Sequence, residues 1–253
     1  MSLGSLTIWI ASCLLLGLRI APVFALAPPF TLVPVPALFR VLFGLGISIA
    51  LVGAHPQGTL LANDDLATMF LAGARELALG MVIVLAFQIA FGALYVAGRV
   101  IDIQAGFGLA LLIDPTSQSQ TPLTGMLFAY AAAAMFFAMD GHIELLRLFG
   151  ASIDTIPLGA WSMPHSIERV TAFMSVTFVM AFGVAGGSIL VLFLIDMSIA
   201  FLSRTVPQMN VLILGFQVKT IALLLVLPTS FGIGGVLLIR MMSMVLHAIP
   251  RLL

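Results

Sequence analysis

Val170-TAFMSVTFVMAFGVAGGSILVLFL-Ile195 runs for 26 residues without an Asp, Glu, Lys or Arg, and a helix crossing about 30 Å of hydrocarbon needs roughly 20 mostly apolar residues. Working outward, Val41–Asn63, Leu77–Gly98, Pro115–Met139 and Ile221–Ile239 are equally free of charge, and Ser2–Leu18 and Ile20–Phe39 come close. Every backbone N–H and C=O in lipid has to be satisfied inside its own segment, so such runs are helices, not open strands. The expectation is an all-α integral membrane protein with about six long apolar helices, forming one membrane-embedded domain over residues 1–253. Composition agrees. Of 253 residues, 62% are hydrophobic and 8% charged, against about 25% charged in an ordinary soluble domain, which excludes a water-soluble globular fold.

Charge and cysteine content remove further classes. Ten Lys and Arg balance ten Asp and Glu, which leaves no basic surplus to hold a phosphate backbone, so nucleic acid is not an expected partner. Cys13 is the sole cysteine; it cannot form an internal disulfide and has no CxxC or Cys/His spacing around it. His55, His142, His165 and His247 are far apart, without an HExxH pattern, and there is neither a GxSxG elbow nor a phosphate loop after a strand. No enzyme, metal or cofactor is expected. No Lys or Arg precedes Arg19, so the first segment lacks the basic start of a cleaved signal and reads as part of the mature chain.

Breaks follow from turn chemistry. Pro22, Pro28, Pro29, Pro34 and Pro36 crowd the segment Ala21–Pro36, each removing a donor and biasing its predecessor away from the α region, which predicts a broken connector there. Ala54–Thr59 with Asn63-Asp-Asp65 reads as a loop ending in a helix cap, after which a long helix runs from about Leu66 to Val100. Asp114-Pro-Thr-Ser-Gln-Ser-Gln-Thr-Pro122 is the most polar stretch of the chain, a loop between two apolar helices. Ser152–Arg169 is a second polar connector, whose Trp161 suits a membrane interface. Further breaks are expected near Arg204–Pro207 and at Pro228–Gly235.

A charge at the bilayer centre costs about 2.5–3.5 kcal/mol on insertion scales, so each one needs a reason. Arg99 and Asp102, and Glu144 and Arg147, are spaced i, i+3 and meet on one helix face. The adjacent Arg75 and Glu76 point to different neighbours, and pairing with a partner subunit is the sharper reading for them. A secondary transporter would need carboxylates at mid-span, and only Asp102 and Asp196 are candidates. Gly183-Val-Ala-Gly-Gly187 and Ser230-Phe-Gly-Ile-Gly234 are small-residue patterns that let helices approach closely, within the chain or between subunits.

Several islands in order carry a resemblance: Arg19–Phe24, Val35–Arg40, Arg75–Gly80, Ala97–Ala110 with Asp114-Pro115, Gly141-His142 and Arg204–Lys219. Together they resemble the FliR/SpaR/YscT family of type III export-apparatus proteins, on its flagellar side, over nearly the whole chain. The resemblance implies a non-enzymatic export-gate subunit of the bacterial inner membrane and the flagellar basal body, which passes unfolded flagellar proteins. It implies helical hairpins, a FliP-like portion followed by a FliQ-like portion, and partners that are FliP-like, FliQ-like and FlhB-like. It also implies that the segment from Gln104 to Pro122, with Gln104, Gly106, Phe107, Gly108, Asp114, Pro115, Ser117, Gln118, Ser119 and Gln120, projects into the channel and plugs it. Arg75, Glu76, Arg99, Asp102, Arg204 and Lys219 are the candidate subunit-interface charges. The homologous subunit of a virulence injectisome, and a small-solute transporter, stay open as alternatives.

Overall fold

The computed structural model describes residues 3–55, 66–107, 122–162, 167–206, 208 and 210–252. Among them are seven α-helices and no strand: α1 Leu3–Leu26, α2 Ala37–Ala54, α3 Leu66–Ala105, α4 Leu123–Ala138, α5 Gly141–Thr155, α6 Ile167–Thr205 and α7 Val211–Leu252. A single 3₁₀ turn, Phe30–Leu32, lies between α1 and α2. Five helices are long and apolar enough to cross a membrane, or six if the bent pair α4 and α5 counts as one span. The all-α membrane fold is therefore the observed one.

The chain gathers into two compact units, one of residues 1–89, 136–173 and 243–253, the other of residues 90–135 and 174–242. No change in composition marks the boundary, because α3, α4, α6 and α7 each contribute a part to both units.

In the first unit α1 and α2 form an antiparallel hairpin, as their contact pairs show. A methyl group added at Gly44 would stand 2.7 Å from the Ala21 Cα, one at Gly17 would stand 2.5 Å from Leu45, and the Ser48 hydroxyl donates to the Cys13 carbonyl at 3.1 Å. Small residues at the crossing let the backbones close on each other. Aromatic rings fill the rest: Phe24 meets Phe30 and Phe43 with centroids 4.7 and 5.2 Å apart, and Phe87 meets Phe136 edge-on at 5.7 Å. In the second unit α6 and α7 form another antiparallel hairpin. Gly234 lies against Val184, Gly183 against Leu237, and the buried hydroxyls of Ser188 and Ser230 are 2.8 Å apart. The two small-residue patterns thus pack against each other within one chain.

Three expectations about breaks need correction. Pro22 lies inside α1, and the helix continues to Leu26; the break begins only at Ala27. The carbonyls of Leu18 and Arg19 face Gly80 of α3, where a Cβ would stand 3.1 and 2.5 Å from them, so α3 comes close at the turn that the proline leaves short of a donor. Pro228 likewise does not interrupt α7, which is helical from Val211 to Leu252. Neighbouring helices and hydroxyls can re-satisfy backbone groups freed by proline in membrane helices, and here α6 packs close by, with Ser188 on Ser230 and Val184 on Gly234. The connector after α5 starts at Ile156, not Ser152, and Trp161 is buried, at 4% exposed. Conversely, one break was not anticipated: α4 and α5 meet at a bend of 68°, where Asp140 takes the left-handed conformation at φ 57°, which Asp tolerates better than most side chains. The loop and cap expected at residues 56–65 lie outside the described residues.

Candidate functional site

The polar segment between α3 and α4 is held at its two described ends. α3 closes with a glycine at φ +90°, Gly106, whose N–H donates to the Ile103 carbonyl at 3.1 Å while the Phe107 N–H donates to the Asp102 carbonyl at 2.9 Å. This pair of bonds, from the first and second residues past the cap, is the Schellman arrangement, which requires a residue at ease in the left-handed region. The next carbonyl, that of Gln104, accepts from Lys219 Nζ on α7 at 3.0 Å. Lys219 in turn forms an ion pair with Asp196 on α6. The ring of Phe107 meets Phe216 edge-on at 6.4 Å, one turn before Lys219 on the same helix.

Asp102 ties the other end. Its carboxylate is 7% exposed and accepts from the Thr124 hydroxyl and from the Thr124 backbone N–H at 3.2 Å. It therefore caps the start of α4, where first-turn amides have no intrahelical partner and the helix dipole favours an anion. Beside it α3 and α4 touch backbone to backbone: a Cβ at Gly98 would stand 2.2 Å from the Gly125 nitrogen. The structure thus brings Gln104, Gly106, Phe107, Asp102 and Lys219 together with Thr124, Gly98, Gly125, Asp196 and Phe216. Sequence reasoning did not select Thr124, Gly98, Gly125 or Phe216 for this place, and it read Asp196 only as a transporter candidate. The available signal was the pairing of small residues at the two ends of one polar stretch. Gly108, Asp114, Pro115, Ser117, Gln118, Ser119 and Gln120 lie outside the described residues.

The remaining expected charges fall elsewhere. Glu76 is fully buried inside the first unit and is bound by its own chain: Arg19 Nε donates to one carboxylate oxygen at 2.6 Å, Arg19 Nη2 to the other at 3.0 Å, and the Gly159 N–H to that second oxygen at 2.8 Å. Arg19, also fully buried, completes its bonding with Ser152 Oγ and the Ile156 carbonyl, both at 3.0 Å. A buried pair is tolerable only when such bonds satisfy the leftover donors and acceptors, and here they knit α1, α3, α5 and the following connector. Arg75 donates to the Gly159 carbonyl at 2.9 Å, so the adjacent pair share that loop glycine, and only Glu76 has a further neighbour, Arg19. Arg204 occupies the last turn of α6, where a cation suits the helix dipole. Arg99 lies on α3 one turn before Asp102. Glu144 and Arg147 form the expected i, i+3 pair at 3.2 Å, largely in the open. Among the described residues no group of three His, Cys, Asp or Glu is placed to hold a metal ion.

Sequence relationships supply the family. The profile of the bacterial export proteins, family 1, matches residues 10–246. The chain belongs to this family. It is similar to the flagellar biosynthetic protein FliR of Bacillus subtilis (strain 168), with 27% identity over 245 residues, 95% of this chain and 93% of that one. It is also similar to FliR of Escherichia coli (strain K12), with 27% identity over 79% of this chain and 76% of that one. A third relative is the Yop proteins translocation protein T of Yersinia pestis, 30% identical over 62% of this chain and 61% of that one. These relationships make this export protein a member of the FliR/SpaR/YscT group, a type III export-apparatus subunit of the bacterial inner membrane that acts with other export subunits.

Proposed function

We propose that this chain is the flagellar member of the group: a non-enzymatic core subunit of the flagellar type III export gate, in the basal body, forming part of the passage through which unfolded flagellar proteins cross the inner membrane. The observation that carries this reading is the near end-to-end similarity to the Bacillus FliR, over 95% of this chain. FliP-like and FliQ-like subunits are its partners in the gate, with an FlhB-like protein beside them. The segment from Gln104 to Pro122 acts as the closure of the passage: it is polar and uncharged from Pro115 to Pro122, and its described ends are fixed to α7 and α4, which lets it obstruct a channel without binding cargo tightly. The unpaired faces of α2, α6 and α7 carry large exposed apolar side chains such as Leu38, Phe39, Phe201, Leu224 and Ile233, which suit neighbouring subunits or lipid.

The test has three parts. A C-terminally tagged chain purified gently from its native host should bring FliP-like and FliQ-like proteins with it in one large particle; recovery as a lone chain would refute the gate reading. Deleting Ser117–Gln120 should leave that particle intact and make the membrane leaky to small ions, and an unchanged conductance would refute the closure role. Charge reversal at Arg75 should weaken recovery of the partners, whereas reversal at Glu76 reports only on the chain's own fold, since Arg19 is its counter-ion.

The higher identity to the Yop translocation protein, 30% over 159 residues, favours a second reading as the equivalent injectisome subunit. Loss of motility on deleting the gene supports the flagellar reading; retained motility with lost export of effector proteins supports the other.

A further inference from the structure

We infer that Lys219 is a positioning residue that pins the end of α3 to the α6/α7 hairpin, and so fixes the point at which the chain leaves α3 for the polar segment. The bookkeeping at this helix end carries the inference. Of the last carbonyls of α3, that of Asp102 is taken by the Phe107 N–H and that of Ile103 by the Gly106 N–H. The Gln104 carbonyl is the next in line and takes its bond from the Lys219 ammonium. A cation at a helix C-terminus is also favoured by the dipole. An ammonium in an otherwise apolar hairpin needs a counter-ion, and Asp196 provides it from the facing helix. The side chain of Lys219 is 18% exposed and that of Asp196 is 38%, so Asp196 is the wetter member and Lys219 the one enclosed against α3. Phe216 adds an apolar contact on the same side of α7: it lies edge-on to Phe107 and 3.1 Å from where a Cβ at Gly106 would stand. Lys219 thereby joins three helices at one nitrogen, where a simple surface pair would join two side chains.

The roles of the two charges differ, and this makes the inference testable. If Lys219 is a pin, what matters is a donor at 219 that reaches the Gln104 carbonyl. If the pair is only local neutralisation, removing both charges together does no harm at α3. Hydrogen–deuterium exchange, read by mass spectrometry on the full-length protein in detergent, follows the amides of Gly106 and Phe107, whose bonds exist only while this helix end is closed. In Lys219→Met these amides should exchange at least about tenfold faster than in the wild type, through local opening of that turn, while Lys219→Arg, which keeps a long cationic donor, should restore protection. The double variant Asp196→Asn with Lys219→Met leaves no uncompensated charge and so keeps the fold if the single variant does not; it should exchange as fast as Lys219→Met. Wild-type protection of Gly106 and Phe107 in the double variant would overturn the inference.

The consequence for export rests on the proposed closure role of the segment after α3, and a separate measurement distinguishes the two. Faster exchange with added ion leak in Lys219→Met supports both. Faster exchange without leak leaves the pin standing and counts against the closure role alone.

Discussion

Replacing Glu76 by alanine strands a guanidinium that has no access to water, since both Arg19 and Glu76 are 0% exposed. Three bonds vanish: two from Arg19, at 2.6 and 3.0 Å, and one from the Gly159 N–H, at 2.8 Å. Arg19 keeps Ser152 Oγ and the Ile156 carbonyl, but neither carries a charge. Removing one partner of a buried pair costs about 3–5 kcal/mol, and Glu76→Ala should fall in that range. Arg19→Met should cost a similar amount, because it leaves a carboxylate whose described partner is the Gly159 N–H. The double variant Arg19→Met with Glu76→Met buries no charge. It still orphans the Gly159 N–H and the Ile156 carbonyl, at about 1 kcal/mol or more each, while the Ser152 hydroxyl keeps its bond to the Phe149 carbonyl at 2.7 Å, and so should lose no more than either single variant. The coupling energy between the two positions is then at least about 3 kcal/mol. Titrating SDS into the full-length protein in mixed micelles, with helicity as the signal, measures all three losses on one scale. If the double variant loses the sum of the two single losses, the positions act independently and the buried pair is not what holds α1, α3 and α5 together.

Two further outcomes follow from packing. Gly98→Ala should sharply reduce the amount of folded protein in the membrane, since its Cβ would stand 2.2 Å from the Gly125 nitrogen and the backbone would have to move, whereas Gly92→Ala on the same helix, with nothing within 4 Å, should be neutral or gain up to about 1 kcal/mol of helix propensity; equal effects at the two positions would refute the close crossing. Ser188→Ala and Ser230→Ala remove the same buried hydroxyl pair, so each should cost on the order of 0.6 kcal/mol, a typical interhelical bond in a membrane protein, and the double variant should cost little more than either alone in the same SDS titration.

Much of the fold was legible because crossing a membrane is a one-dimensional requirement. An uninterrupted apolar run of sufficient length has to be helical wherever it sits, so the long spans, the start of α3 at Leu66 and the end of α6 near Arg204 could be read off without any knowledge of neighbours. Proline misled that reading in both directions. It ends α1 after Leu26, where Pro28 and Pro29 stand side by side and the freed Ala25 carbonyl accepts from Arg40 Nη1 at 2.8 Å, but it is carried within α1 at Pro22 and within α7 at Pro228, where other helices approach. Whether a neighbour is there is not written in the local sequence. The bend at Asp140 escaped notice for the opposite reason: a single left-handed residue leaves no break in hydropathy.

The candidate site divides in the same way. The sequence by itself determined which stretch is polar, which charges interrupt apolar helices, and which family pattern they follow, since these depend only on residue identity and order. Only the tertiary structure decided which charges meet. Glu76 finds Arg19 at a separation of 57 positions and Gly159 at 83, Asp102 turns to Thr124, and Lys219 reaches the Gln104 carbonyl across 115 positions. Periodicity links residues three or four apart, as it did for Glu144 and Arg147, but it cannot register one helix against another. That register is set by where glycines and serines let backbones close, and it is what turns a scattered set of charges into a buried knot in one unit and a clamped polar segment in the other.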